Sequence, residues 1–177
     1  MLGAAPDDPA ARRALRALGF ADPRAALANL HGLTPTPRDA ELLAPALPRL
    51  LAVLRDAADP DMALNNLERY AAAVDRAVLF RTLAVHPGAA ALLVTVFGAS
   101  QFLADTLRRH PASLAWLLEG RTMRQWLADD LAAALADSLA PFARPEARLN
   151  AIRRFKYRHL LRIGARDLLG DADLTVT

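Results

Sequence analysis

Four times along this chain a helix-capping residue stands directly before a proline: Asp8-Pro9, Asp22-Pro23, Thr36-Pro37 and Asp59-Pro60. Each pair is a helix start. The cap side chain accepts a backbone N–H of the first turn, and proline at the first helical position lacks the N–H that would otherwise go unpaired. Asp39, three residues after Thr36, adds the acidic arm of a capping box. His86-Pro87 and His110-Pro111 mark two further restarts, with histidine placed to cap the last carbonyls of the preceding helix. Between these starts alanine and leucine dominate, and they lose little side-chain freedom in a helix. The apolar run Leu92–Phe97 follows Gly88-Ala89-Ala90-Ala91 and reads as a buried helix.

The fold expected is all-α, a multi-helix bundle of about nine or ten helices with no sheet. The helices are placed at 9–18, 23–30, 37–44, 48–57, 60–85, 87–97, 100–109, 111–118, 122–140 and 146–169. Leu64, Leu67, Ala71, Val74 and Val78 form the buried seam of the long helix from Pro60. Gly98 suits a helix end and Ser100 the next cap. Residues 1–177 are expected to form a single helical domain, within which 1–57 could stand as a small lobe beside 58–177.

Several chemistries lack their residues. There is no cysteine, hence no disulfide scaffold, thiolate metal site or cysteine nucleophile. The histidines His31, His86, His110 and His159 are not spaced as helical metal ligands. No serine sits in a hydrolase elbow and no glycine-rich phosphate loop is present. The pair Asp171-Ala172-Asp173 follows a helix end and reads as a solvated loop rather than a metal site. No catalytic residue and no metal ligand is assigned. The N-terminus lacks the basic start and apolar core of a signal peptide, and no run is long enough to span a membrane, so a cytoplasmic protein is expected. The pI of about 10.1 accompanies a net charge of only +3. Almost every cation is arginine, with Lys156 the one lysine, and arginine holds the pI up at any relevant pH. Nucleic acid is therefore an unlikely partner.

The last helix is the most informative. At 100° per residue Leu149, Ile152, Leu160 and Ile163 share a face, with Lys156 inside it and its stem free to pack. Beside that face Arg154, Arg158, Arg162 and Arg166 form an i, i+4 stripe. Its three like-charged neighbour pairs cost about 1 kcal/mol together. Carboxylates from another segment, or a phosphate-bearing ligand or partner, would offset this; a plain solvated basic face is the alternative. These four arginines are the candidate ligand- or partner-contacting residues.

Four stretches in order resemble one family: Asp59–Tyr70 (DPDMALNNLERY), Val96–Ala104 (VFGASQFLA), Arg109-His110-Pro111 and Ile152–Gly170 (IRRFKYRHLLRIGARDLLG). Together they look like the leading helical region of glutamine-synthetase adenylyltransferase, the adenylyl-transferring and adenylyl-removing enzyme of bacteria, over residues 20–177. The resemblance implies a large cytoplasmic enzyme with two nucleotidyltransferase domains. One attaches AMP to a tyrosine of glutamine synthetase and the other removes it by phosphorolysis, using Mg2+ with ATP or ADP, under control of PII signalling protein and glutamine. The stretch Leu64–Tyr70 looks like the lead-in to the adenylyl-removing half. In the family a glycine-rich segment with a serine and paired aspartates follows this region. It does not occur up to Thr177, so no family catalytic residue transfers and Asp171 and Asp173 are not taken for the catalytic pair. The chain is expected to hold no cofactor, to be inactive alone, and to scaffold the nucleotidyltransferase domain. A free-standing helical interaction module is the rival, with a nucleic-acid binder using the arginine stripe behind it.

Overall fold

The computed structural model describes residue 5, residues 8–119 and residues 126–170. The described residues form eleven helices and no strand: α1 (Pro9–Ala17), α2 (Pro23–Leu33), α3 (Pro37–Leu43), α4 (Leu47–Arg55), α5 (Pro60–Ala71), α6 (Arg76–Val85), α7 (Pro87–Ala99), α8 (Gln101–Arg109), α9 (Ser113–Leu118), α10 (Ala128–Leu139) and α11 (Pro145–Leu169). They fall into two compact units, Met1–Pro111 and Ala112–Thr177. Helices α2 and α5, α3 and α6, and α4 and α7 pack against each other. The stretch 58–111 therefore shares a unit with residues 1–57, and the division falls after Pro111 instead of near residue 57.

The predicted starts act as caps. Asp8, Asp22 and Asp59 accept first-turn N–H groups, and Thr36 with Asp39 closes a reciprocal capping box. Ser100 caps α8 through Leu103 N–H. The helix expected over 60–85 is two. It stops at Ala71, and Asp75 starts α6 by accepting from Ala77 and Val78. Leu64, Leu67 and Ala71 are buried as expected, but past the break the register resets and Val78 is exposed. At the end of α1, Gly19 takes φ +93°, with Gly19 N–H donating to Arg16 O and Phe20 N–H to Leu15 O. This is a Schellman closure, and its apolar pair Leu15 and Phe20 is buried.

The core of the first unit is the α5–α7 contact. Leu92, Leu93, Val94, Val96 and Phe97 are all buried, so the apolar run is a core helix. Gly98 lies within α7, not at its end. A Cβ there would stand 3.0 Å from Asp59 O and 3.3 Å from the Cβ of Ala63, so glycine allows the close approach of α5. Buried Asn66 on α5 donates through Nδ2 to Phe97 O (3.0 Å) and Gln101 Oε1 (3.1 Å), which ties α5 to α7 and α8. Tyr70 packs its ring 5.6 Å from that of Phe97 and donates its hydroxyl to Pro111 O. Burial pushes that phenol up to about 12. No single described helix is long and apolar enough to cross a membrane.

Candidate functional site

The second unit is built on α11, a 25-residue helix with Pro145 at its first position and Glu146 in its first turn. A proline start and an acid against the positive end of the helix dipole favour initiation there. At the far end Gly170 takes φ +65° and stops it. Helix α10 packs alongside, its own start tied by Leu127 N–H donating to Asp130 Oδ2.

The buried face of α11 is not the aliphatic one. Ala151, His159, Leu161, Arg162 and Ala165 are buried, whereas Leu149, Ile152 and Ile163 are exposed. Hydrophobicity alone puts the aliphatic residues inside. What turns the helix is a cluster of aromatic rings that prefer the arginine side. His159 has its ring centroid 4.2 Å from Phe155, 5.0 Å from Trp126 and 5.4 Å from Trp116, the tryptophans edge-on. Burial pulls its imidazole down from 6.5 to about 4, with the neighbouring charges of Arg162 and then Arg158 adding to the effect. A protonated His159 would be a third cation in that cluster.

The four candidate arginines are thus unequal. Arg158 is exposed but lays its guanidinium 4.6 Å from the Trp116 ring centroid, and exposed Arg154 lies 5.7 Å from that of Phe142. Arg162 is buried, 5.3 Å from the Trp126 ring centroid. Arg166 is half-buried. A cation over an aromatic face gains roughly 0.5–2 kcal/mol, so three such contacts more than offset the mutual repulsion within the stripe. The stripe is thus neither wholly solvated nor wholly buried: Arg154 and Arg158 are exposed over rings, and Arg162 is buried beside one. Trp116, Trp126 and Phe142 are the partners that helical periodicity of α11 could not reveal. Both tryptophans of the chain lie in this unit, the one compositional hint available.

Arg162 and Arg166, with Trp126, Leu131, Ile163 and Asp167, line an open groove of about 540 Å³. Its charges are mixed: two guanidiniums face it, and so does the Asp167 carboxylate. Among the described residues no three His, Asp or Glu side chains stand close enough to share a metal ion. One carboxylate beside two guanidiniums is not by itself a donor set for the Mg2+ that the resemblance implies. Asp171 and Asp173 lie outside the described residues.

The profile of the glutamate-ammonia ligase adenylyltransferase family matches residues 90–177. Over 181 aligned residues, 96% of this chain, the sequence is 34% identical to the bifunctional glutamine synthetase adenylyltransferase/adenylyl-removing enzyme of Pseudomonas putida. The enzymes of the same name from Mycobacterium marinum and Streptomyces avermitilis are 35% and 36% identical over 94% and 90% of the chain. The chain spans 17–18% of the length of these curated relatives. No solved structure matches it.

Proposed function

We propose that this chain, which belongs to the glutamate-ammonia ligase adenylyltransferase family, is the leading helical portion of an enzyme that adenylylates and deadenylylates glutamine synthetase. Its task is to support the nucleotidyltransferase part and help present it to that substrate in the cytoplasm, with Mg2+, ATP or ADP and PII engaged by other parts of the enzyme. The observation that carries this is the extent of the similarity. Relatives bearing that name match almost the whole chain, across both compact units, while the chain accounts for less than a fifth of their length.

Within this reading, Arg154 and Arg158 are the residues that meet an anionic ligand or partner. They are exposed, and resting on aromatic rings they are pre-oriented to grip a phosphate or carboxylate with two bonds. Arg162 is buried and holds the fold of the unit; Arg166 contributes from the groove. The test compares this chain with the full product of its reading frame, reading AMP transfer to glutamine synthetase by the mass of the modified subunit. The full product is expected to transfer AMP and this chain alone to transfer none. Arg154→Gln with Arg158→Gln should slow the full product while leaving the chain folded. Turnover by the chain alone, or a full product that never modifies glutamine synthetase, would overturn the reading.

A further inference from the structure

Helix α11 has a second, open face, whose C-terminal end at Ile163 borders the groove of Trp126 and Leu131. Leu149, Ile152 and Ile163 are 53%, 41% and 53% exposed, on the side away from Ala151, Arg162 and Ala165. At 100° per residue they fall, with Lys156 between them, within a sector of about 60°, and the row runs about 21 Å along the axis. Single exposed leucines are ordinary, but branched aliphatics aligned along one helix face are a surface built to be covered. Covering the row would remove the remaining exposed apolar surface of each from water. The charged residues on or beside this face are the exposed cations Arg153, which donates to Asn150 Oδ1, and Lys156, with the exposed carboxylate Asp167 at the C-terminal end of the row.

A second copy of the chain is a poor occupant. A two-fold axis that brings Leu149 of one copy onto Ile163 of the other passes through position 156 and sets Lys156 against Lys156. The occupant must differ from this face: apolar along its centre, with carboxylates opposite Arg153 and Lys156. The Pseudomonas putida relative holds most of its length outside the stretch aligned here, the chain spanning 18% of it.

The geometry points to the Leu149–Ile152–Ile163 face of α11 as an intramolecular docking surface, covered by an apolar, carboxylate-bearing element from the part of the same enzyme outside this stretch. This rests on the reading of the chain as a portion of that enzyme. Because the chain has no cysteine, Ile152→Cys gives a single reporter. It is placed in this chain and in the full product of the reading frame, and maleimide labelling of the residue-152 peptide is followed by mass spectrometry. The expected result is fast labelling in the chain at every protein concentration. In the folded full product labelling slows by about tenfold or more, as access governs thiol reactivity, and unfolding restores it. Adding Arg153→Glu and Lys156→Glu should also restore fast labelling. Equal rates in the two proteins would overturn the inference. So would protection in the isolated chain, by a second copy if it grows with concentration and by the chain's own residues if it does not. AMP transfer assayed on the same samples separates the two readings: transfer without protection sinks the surface alone, and protection without transfer sinks the enzymatic reading alone.

Discussion

Replacing His159 by phenylalanine should flatten the acid side of the stability profile of the second unit. The imidazole is only 7% exposed, ringed by Phe155, Trp116 and Trp126, and its pKa is pulled from 6.5 to about 4. A depressed folded-state pKa means that the unfolded chain binds the proton more readily between those values. The stability from keeping the ring neutral is therefore fully present above pH 6.5 and is lost as pH falls towards 4. The full shift is worth about 3 kcal/mol, and by pH 5 about 2 kcal/mol of it has gone. Phenylalanine fits an aromatic cage and carries no proton. Urea unfolding read by tryptophan fluorescence isolates the effect, because Trp116 and Trp126 both lie in this unit and are the only tryptophans. Between pH 7.5 and 5 the wild-type chain should lose about 2 kcal/mol more than His159→Phe. Parallel profiles would refute the reasoning, since the imidazole would then not be held neutral by its burial, with Arg162 and Arg158 adding to it.

Three further outcomes follow from single contacts. Asp61 accepts from Ala21 N–H (2.7 Å) and Asp22 N–H (3.1 Å), pinning the α1–α2 turn to the start of α5; Asp61→Ala should lower stability by about 1–2 kcal/mol in chemical unfolding followed by circular dichroism, and Asp61→Asn by less. Gly98→Val sets a branched side chain against Asp59 O and Ala63 and should cost about 1–3 kcal/mol by the same measurement. Arg162→Gln should destabilise the second unit by about 1–3 kcal/mol in tryptophan-monitored unfolding, whereas exposed Arg154→Gln should stay within about 0.5 kcal/mol.

Local chemistry made most of the first unit legible. A cap beside a proline states its own conformation, so Asp8, Asp22, Thr36 and Asp59 mark their helices without knowledge of the rest of the fold. The break between α5 and α6 was harder, because Ala72-Ala73-Val74 are acceptable in a helix and Asp75 caps without a proline. Nothing local distinguishes that aspartate from one on a solvated helix face. Gly98 misled for the converse reason. A glycine near a predicted helix end suggests a stop, but here tertiary contact with Asp59 and Ala63 requires the missing Cβ.

The arginine stripe of α11 is legible in its i, i+4 spacing, and the side of the helix that is buried is not. Periodicity assigns a helix face by ranking side chains, and by that ranking Leu149, Ile152, Leu160 and Ile163 belong inside and the arginines outside. The structure turns Arg162 inward and leaves Leu149, Ile152 and Ile163 exposed, and the rest of the unit offers flat aromatic surface at Trp116, Trp126 and Phe142, which accepts a guanidinium and its aliphatic stem. Alanine at 151 and 165 then lets the helix approach closely along that side. The rotation has a consequence that hydropathy cannot express: a helix that buries arginine and exposes isoleucine satisfies only one of its two sides within its own unit. The exposed row is the side that the proposed docking would cover.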